Sequence, residues 1–486
     1  MRNALLLVAS VALSLQAGCS CLVNPGQEEE GQPCLNGLCL AGYRCESEVC
    51  VSVGGPKRDA GGAWRPDAGW PSDDAGTGWQ PPESIGHPWS GSPLRDLAPR
   101  LAISDDGDVF LAFADSAGAI NVRRRQQNAG VWGPLHVLCE AGCSSPLVAA
   151  GPDGSAVVAW STGSTIFASF FKSGLGWPSG WQAPQYAATG DLSDVVTLSD
   201  LEMRSQGAAL LYRLLRANGT VDLSLAASTG ETWLQTGISQ GQPATSEGAL
   251  AIAADAADLA IMTVYSQGHL VRATQVTFTT YAPNFLVGPM VPLSPDFGPG
   301  AQPGSVAVSS DGYGSGVAVF AFSGGQGAYA ARFANLQWSP AGRLDPGLGA
   351  AGPAAAAADL NGNGLVLFRQ CYTDCAVWAS GYFAYGGLGG AAQISAGVPQ
   401  LDEPRVALDS AGRALQLWLQ NNEVWASEIG ELRDPLPFGP PVRISSPTAS
   451  SFASSPALVY RNGLGYAAWF HTEGALVGAR YRAPLR

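Results

Sequence analysis

Between Pro99 and Tyr481 the chain repeats one arrangement of apolar and polar residues about eight times. Each copy has a short apolar run, often after a proline, and then a turn that usually contains glycine. A second apolar run ends in an aromatic residue, and a third carries a small residue such as alanine. Many copies close on a tryptophan and a proline, as in Trp132-Gly133-Pro134. Short runs separated by Gly, Pro and Asp predict β-strands joined by tight turns.

The aromatic residue that ends the second run recurs at a nearly constant interval of about 50 residues, and four strand-like runs in such an interval are typical of a β-propeller blade. The eight aromatics are Phe113, Trp160, Tyr212, Tyr265, Phe320, Phe368, Trp418 and Trp469. The sequence therefore predicts an all-β, eight-bladed β-propeller over residues 79–486, with these aromatics packed between adjacent blades. Because the third and fourth copies are the least regular, seven blades stay an alternative.

The two ends of the repeat region complement each other. The eighth copy stops without its tryptophan-and-proline segment, whereas residues 79–85 (WQPPESI) form such a segment before the first copy begins. A ring of sheets has no free edge only when its first and last blades are joined. We therefore expect the segment that begins at Trp79 to complete the last blade.

Composition narrows the function classes. The chain has 486 residues, of which only 13% are charged while 62 are glycine and 34 proline, and its formal net charge is -13. Neutralising phosphates requires clustered Lys and Arg. Nucleic acid is therefore excluded as an expected partner.

The N-terminus predicts export. Arg2 precedes an apolar run from Ala4 to Leu15, which is too short to span a bilayer. Ala17-Gly18-Cys19 then resembles the lipobox of bacterial lipoproteins, although Gln16 stands where that family has an aliphatic residue. The resemblance implies a signal peptide over residues 1–18, lipidation of Cys19, and anchoring to the outer membrane or cell surface through the lipid alone. Lipidation of Cys21 and secretion without a lipid are the alternatives.

Four cysteines follow within 17 residues, and little apolar sequence separates them: Cys34, Cys39, Cys45 and Cys50. In an oxidising compartment this spacing predicts two disulfides, whose pairing the sequence leaves open. Zinc is a weaker alternative because the spacing is not C-x2-C and no histidine is near. Residues 19–50 resemble the small cysteine-rich modules of surface proteins in predatory and soil bacteria.

Residues 51–78, rich in Gly, Ala, Asp and Pro, are predicted to be a disordered linker.

Two closer cysteine pairs lie inside the repeats. Cys139 with Cys143 and Cys371 with Cys375 each enclose three residues. In an exported protein both pairs predict local disulfides that shape loops. A labile redox pair is the alternative.

Turn sequences between first and second strands include Asp106-Gly107, Asp153-Gly154 and Asp311-Gly312, where glycine supplies the positive φ that a tight turn requires. In the sixth copy this turn contains Asp359, Asn361 and Asn363 at the spacing of a calcium loop, but Gln370 stands where an EF-hand has glutamate. An ordinary hairpin is expected there, with calcium as the alternative. No other cofactor is expected.

Catalytic signals are weak. Gly230-Glu231-Thr232-Trp233 resembles the second half of the Asp-box of sialidases, but Ala226 and Ser228 replace the serine and aspartate of its first half. The F/Y-R-I-P motif of that family is absent from the sequence. Arg100 and Arg405 follow prolines at one repeat position and are interpreted as strand starts. The four histidines have no metal-ligand spacing, and nucleophile-elbow, P-loop and H-E-x-x-H motifs are absent from the sequence.

Two functions follow from these patterns. The first is a monomeric, surface-tethered, non-enzymatic scaffold that binds a protein or glycan. The second is a carbohydrate-active propeller related to sialidases. The repeats resemble the D-x-x-G-x-x-x-x-x-W type of exported bacterial propellers over residues 79–486.

Candidate binding residues are expected on irregular insertions of the fourth and sixth copies, because binding residues often lie on loops that a rigid scaffold positions. These candidates are Tyr281, Phe285, Tyr382 and Tyr385.

Overall fold

The computed structural model describes twelve stretches of the chain, namely residues 43–46, 49–52, 78–86, 98–127, 131–239, 248–254, 258–281, 283–345, 347, 349–445, 454–471 and 475–483. The signal peptide, Cys19, Cys34 and Cys39 lie outside these residues. Contacts divide the chain into two units, residues 1–74 and 75–486. Within the described residues no helix has the length and apolar character needed to cross a membrane.

In the first unit, a two-stranded antiparallel hairpin joins β1 (Tyr43–Glu46) to β2 (Val49–Ser52). The backbone register places Cys45 directly opposite Cys50. The disulfide pairing among the four clustered cysteines stays a prediction.

The second unit is an eight-bladed β-propeller, and each blade is an antiparallel sheet whose strands follow one another in chain order. Blades 1 to 4 contain β5 (Arg100–Ile103), β6 (Val109–Ala114), β7 (Ile120–Arg125) and β8 (His136–Cys139); β9 (Ser144–Ala150), β10 (Ala156–Thr162), β11 (Thr165–Phe171) and β12 (Gln185–Thr189); β13 (Val195–Arg204), β14 (Gly207–Leu215), β15 (Val221–Ser228) and β16 (Trp233–Gly237); β17 (Gly248–Ala254), β18 (Leu259–Gln267), β19 (Leu270–Thr279) and β20 (Asn284–Pro292). A short 3-10 helix, Ser173–Leu175, follows β11.

In blades 5 and 6 the fourth strand is split into two short pieces. Blades 5 to 7 contain β21 (Gln302–Ser310), β22 (Gly316–Ser323), β23 (Gly327–Ala334), β24 (Gln337–Trp338) and β25 (Gly342–Arg343); β26 (Ala350–Ala358), β27 (Gly364–Cys371), β28 (Cys375–Phe383), β29 (Gly387–Leu388) and β30 (Ala392–Gln393); β31 (Leu401–Leu408), β32 (Ala414–Gln420), β33 (Glu423–Ile429) and β34 (Val442–Arg443). Blade 8 joins both ends of the propeller: β35 (Ser454–Arg461), β36 (Leu464–Phe470), β37 (Leu476–Arg482), β3 (Gly78–Trp79) and β4 (Glu83–Gly86).

The predicted closure is confirmed. β3 and β4 pair with β37 in antiparallel register, with Trp79 opposite Tyr481 and Ser84 opposite Val477. The first strand of each blade contacts the first strand of the next, and β35 of blade 8 contacts β5 of blade 1. The eight first strands therefore form a closed inner ring around a central channel, and seven blades are excluded.

The apolar core is divided into layers between neighbouring blades. Each of the eight predicted aromatics is at most 5% exposed, and each lies in the layer that its own blade shares with the preceding blade. Trp469, for example, packs between blades 7 and 8. The prediction that these rings fill the space between blades is confirmed. The rings can reach the preceding blade because side chains along a strand point alternately to the two faces of its sheet.

The local predictions inside the repeats are confirmed as well. Disulfides join Cys139 to Cys143 and Cys371 to Cys375. Gly107 and Gly154 have φ values of 80° and 76°, so these turns use the left-handed conformation that glycine adopts without strain.

Candidate functional site in the central channel

A repeated irregularity shapes the inner ring. In the first strands of blades 2, 5, 6, 7 and 8 the register with the second strand shifts next to a proline, so that an extra residue bulges out. In blades 2 and 7 the residue before the proline has positive φ: Ser145 at 52° and Glu403 at 53°. The bulge fixes which residue of each first strand resumes the pairing with the second strand.

After each bulge the first strand resumes its pairing with the second strand at one residue. We call these residues the channel layer, and we include Arg100, which makes the first pairing of β5 in blade 1. In blade 3, which lacks the proline, the register shifts just before Asp200. Apart from two arginines and one aspartate, the members are small or apolar. The layer consists of Arg100, Leu147, Asp200, Ser305, Ala354, Arg405 and Ala457.

The charged members of the channel layer act on one another across the ring. Burial lowers the pKa of Arg100 to about 10, and the positive charge of Arg405 adds to this effect. Burial raises the pKa of Asp200 to about 6. Arg100, Asp200 and Arg405 belong to blades 1, 3 and 7, none of which are neighbours, and yet the charge of Arg100 is influenced by both of the others.

These side chains are enclosed by protein and yet reached by water. Arg100, Asp200, Glu403 and Arg405 are all half-buried. Among the described residues, none forms an ion pair within 4 Å of the Arg100 guanidinium. A guanidinium without an ion-pair partner keeps N–H donors that an anion can use.

The acidic residues are fixed in place by backbone groups. The Asp200 carboxylate accepts hydrogen bonds from the N–H of Leu201 and from the N–H of Leu250 in blade 4, both at 2.9 Å. Glu202, two residues further along β13, accepts one from the N–H of Ile252 at 2.5 Å. Asp200 and Glu202 therefore also join blade 3 to blade 4.

Glu403 lies beside the second arginine. Its carboxylate is 3.7 Å from the Arg405 guanidinium, which also donates a hydrogen bond to the Pro404 carbonyl at 3.2 Å. The two arginines thus differ: Arg405 has an acidic neighbour in its own strand, whereas Arg100 feels Asp200 and Glu403 only at longer range.

The predicted aromatic candidates lie away from the channel layer. Tyr281 and Tyr385 are fully exposed in the turns between the third and fourth strands of blades 4 and 6. Phe285 pairs with Phe278 across β19 and β20, with ring centroids 5.1 Å apart. Tyr382 is half-buried beneath the Arg332 guanidinium, 5.3 Å from its ring centroid. The structure does not bring these four residues together, and their role in binding stays a prediction.

The calcium candidate forms a hydrogen-bonded turn. Asp359 Oδ1 accepts the N–H groups of Asn361 and Asn363 at 2.8 and 2.9 Å, and Oδ2 accepts the Asn363 side-chain amide at 3.0 Å. Asp409 caps the corresponding turn of blade 7 in the same way. This geometry is that of an ordinary hairpin, and calcium at this turn stays a prediction. In the part of the chain that the structure describes, no group of three His, Cys, Asp or Glu side chains could hold a metal.

The partial Asp-box has a structural role here. Ser228 Oγ accepts a hydrogen bond from the N–H of Gly230 at 2.9 Å, and the Gly230 carbonyl accepts one from Gln185 in blade 2. Trp233 packs against Phe170, with ring centroids 5.8 Å apart. This turn therefore joins blades 2 and 3.

The sequence shows Arg100 and Arg405 at one repeat position but does not indicate that they share a layer of the channel. Arg100 begins β5, as expected, but the expectation is wrong for Arg405, which is the fifth residue of β31. Their common repeat position brings both into one channel layer. Asp200 was missed because blade 3 lacks the proline that marks this position in other blades. An alignment of the copies on their second strands, instead of on proline, places all three residues at one repeat position, opposite the residue before the predicted aromatic.

No family model matches this sequence, and no curated protein matches it. Solved structures resemble the fold at low identity. The WD40 domain of SCAP from fission yeast is 7% identical over 84% of this chain and 98% of that chain, with a TM-score of 0.47. The polysaccharide lyase Uly1 is 11% identical over 81% and 91%, with a TM-score of 0.43. The Hadza microbial sialidase Hz136 is 10% identical over 79% and 65%, with a TM-score of 0.41. These likenesses concern the propeller fold alone.

Proposed function

We propose that this protein is an exported, non-enzymatic binding protein whose channel takes a carboxylate or sulfate group carried by a glycan or protein partner. The observation that carries the proposal is the meeting of Arg100 and Arg405 in one channel layer. Guanidinium groups bind such anions through paired, charge-assisted hydrogen bonds. The enclosing protein strengthens those bonds because it excludes most of the screening water.

A carbohydrate-active enzyme is the second candidate, and Asp200 is the observation that favours it. A carboxyl group with a pKa of about 6 is suited to general acid catalysis near neutral pH. Its two hydrogen bonds from Leu201 and Leu250, however, hold the carboxylate as a link between blades. Binding is therefore the function that the channel supports best.

The test uses the full chain on a glycan array that carries uronate, sulfated, sialylated and neutral glycans, together with a pull-down from matched surface extracts. We expect anionic glycans or an acidic protein to be retained, and retention to fall at least tenfold in Arg100→Met and Arg405→Met. Arg433→Met removes one exposed arginine outside the channel layer and is the control. Retention unchanged in both channel variants contradicts the proposal, and release of shortened glycans supports the enzyme instead.

The charges in the channel also predict how anion affinity changes with pH. Below about pH 6 Asp200 is protonated and neutral, and above it the carboxylate adds a negative charge near Arg100. Anion affinity should therefore fall several-fold as the pH rises through 6. Titrations at pH 5 and pH 8 measure this change, which Asp200→Asn should remove.

The proposal includes a lipid tether at Cys19, followed by the cysteine-rich module and the linker. Labelling growing cells with an alkyne fatty acid tests the anchor. We expect Cys19→Ser to abolish incorporation and Cys21→Ser to leave it intact. The reverse result would assign the lipid to Cys21, and labelling of neither site would indicate secretion without an anchor.

A further inference from the structure

A cavity of about 510 Å³ lies where blade 7 meets blade 8. We call blade 8, which joins the two ends of the propeller, the closing blade, and this cavity the closing cavity. Its walls come from both ends of the propeller: Trp79 from β3, Tyr481 from β37, Glu428 from β33 and Arg443 from β34. It shares no lining residue with the channel layer. The cavity exists only because the N-terminal strand completes blade 8.

Glu428 offers an acceptor to this cavity. Its Oε2 accepts a hydrogen bond from the buried Tyr481 hydroxyl. Burial, together with this carboxylate, raises the pKa of Tyr481, so that the hydroxyl stays protonated and keeps donating. No described residue donates a hydrogen bond to Oε1, and Glu428 has no ion-pair partner within the described ranges. That oxygen is free to accept a ligand hydroxyl.

The contact between the third strand and the fourth-strand segment of blade 7 does not use this carboxylate. Glu428 follows Ser427, whose hydroxyl donates to the Gly439 carbonyl at 2.9 Å. Ser169 in blade 2 and Ser380 in blade 6 make the corresponding bond. The residues that follow these two serines are Phe170 and Gly381. A glutamate at this repeat position therefore distinguishes the blade that borders the closing cavity.

The other walls supply an aromatic surface and a donor. Trp79 is half-buried and packs against Tyr481, with ring centroids 5.4 Å apart. Arg443 forms an ion pair with Glu423, with 2.8 Å between Nη1 and Oε1, and 37% of the Arg443 side chain stays exposed. An aromatic ring, a carboxylate oxygen and a guanidinium around one concave space match the needs of a sugar, which has an apolar ring face and hydroxyls that both donate and accept.

We propose that this cavity binds a neutral sugar residue. The sugar ring lies on Trp79, one hydroxyl donates to Glu428 Oε1, and another accepts from the Arg443 guanidinium. An acidic sugar is disfavoured because Glu423 and Glu428 outnumber Arg443 locally. Since both chain ends line the cavity, a bound sugar stabilises the closed ring relative to the opened one. The proposal does not depend on the channel function.

Calorimetric titration and thermal unfolding of the full chain test the site, with methyl glycosides of hexoses, 6-deoxyhexoses and N-acetylhexosamines as probes. We expect one of these glycosides to bind one site and to raise the melting temperature. Glu428→Gln, which keeps an amide oxygen for Tyr481, should weaken binding at least tenfold, as should Arg443→Met. Glu431→Gln, an exposed position in the same blade, should leave binding unchanged.

Three results overturn the proposal. One is the failure of every methyl glycoside to bind the wild-type chain at millimolar concentration. Another is binding that survives in both Glu428→Gln and Arg443→Met. The third is binding of choline in place of any glycoside, which would make the cavity a cation site. Circular dichroism confirms that each variant is folded, and Arg443→Met decides the matter if Glu428→Gln fails to fold.

Discussion

Blades 3 to 7 and the closing blade secure their fourth strands differently. In blades 3 to 7 a Ser or Asp at the end of this segment accepts a hydrogen bond from a backbone N–H within the first three residues of the third strand. The five acceptors are Ser239, Ser294, Asp345, Ser395 and Ser445. In the closing blade the corresponding pair of residues is Ile85-Gly86, and glycine offers no side-chain acceptor.

A polar network replaces this local bond in the closing blade. The buried Tyr466 hydroxyl donates to Glu83 and accepts a hydrogen bond from Trp132 Nε1 at 2.9 Å. Glu83 also pairs with Arg125 of blade 1. The N-terminal strand is thereby bonded to blade 8 and to blade 1 at once, which a serine at its end would not achieve.

The difference reflects chain entropy. In blades 3 to 7 the fourth strand follows the third within the same copy of the repeat, whereas Ser84 pairs with Val477 from the opposite end of the propeller. Closing so long a loop costs roughly 3 kcal/mol more than closing a turn of about ten residues. The closing blade therefore requires stronger contacts than a contiguous blade, and substitutions can measure them.

The largest effect is expected from removal of the closing strand. A chain that begins at residue 87 lacks β3 and β4, exposes the edge of β37 and uncovers the layer that contains Ile85. We expect the free energy of unfolding to fall on the order of 5 kcal/mol, comparable with the whole stability of many domains. Denaturant unfolding measures it. A chain that begins at residue 75 is the control, and equal stability of the two chains would contradict the role of closure.

Removal of one apolar contact is the next largest change. Ile85 is 4% exposed between blades 8 and 1, and Ile394 holds the same place in blade 6 at 7% exposure. Ile85→Ala and Ile394→Ala should each cost about 2–5 kcal/mol through lost burial and a new cavity. Denaturant unfolding of both variants gives the comparison. A far smaller cost for Ile85→Ala would show that the closing strand is not part of the cooperative core.

The polar network should contribute less than the apolar contact. Tyr466→Phe leaves Glu83 and Trp132 without their shared partner, and we expect a loss of about 2–3 kcal/mol because one of the two bonds involves a carboxylate. Tyr212→Phe is the matched variant, since that hydroxyl donates to Gln235 at 2.8 Å and neighbours Ser224, and both residues belong to its own blade. Its loss should be about 1 kcal/mol. Equal losses would mean that the network adds nothing to closure.

The smallest effect is expected in a contiguous blade. Ser445→Ala removes the acceptor for the Val424 N–H, 3.1 Å away, and makes blade 7 resemble the closing blade at this point. The loss should be about 1 kcal/mol. Hydrogen exchange at Val424 reports the change directly. Unchanged protection there would indicate that the serine bond is dispensable.

Much of this fold could be predicted from local patterns. Eight aromatics at a constant interval predicted eight blades, and the orphan segment at Trp79 predicted the closure. Both predictions succeeded because strand pairing and interblade packing repeat with the sequence, so that each copy confirms the others. The disulfide between Cys371 and Cys375 was predictable for a related reason. The two cysteines are four residues apart in the chain, so each is the nearest partner of the other.

The candidate sites were harder to predict. Arg100 and Arg405 looked like ordinary strand starts, and Asp200 carried no signal, because the chain separates these residues by whole blades. Glu428 and Trp79 lie near opposite ends of the sequence and meet only in the closed ring. Their chemistry depends on distances across the propeller that no repeat length encodes.

The sequence by itself determined the repeating unit, the number of blades, the turns and the exchange of a strand between the two ends, because these follow from contacts within a copy and between successive copies. Only the tertiary structure decided which charges share the channel and which side chains enclose the closing cavity. Closing a ring brings together positions that are distant along the chain, and their separation then depends on the register and twist of every blade between them.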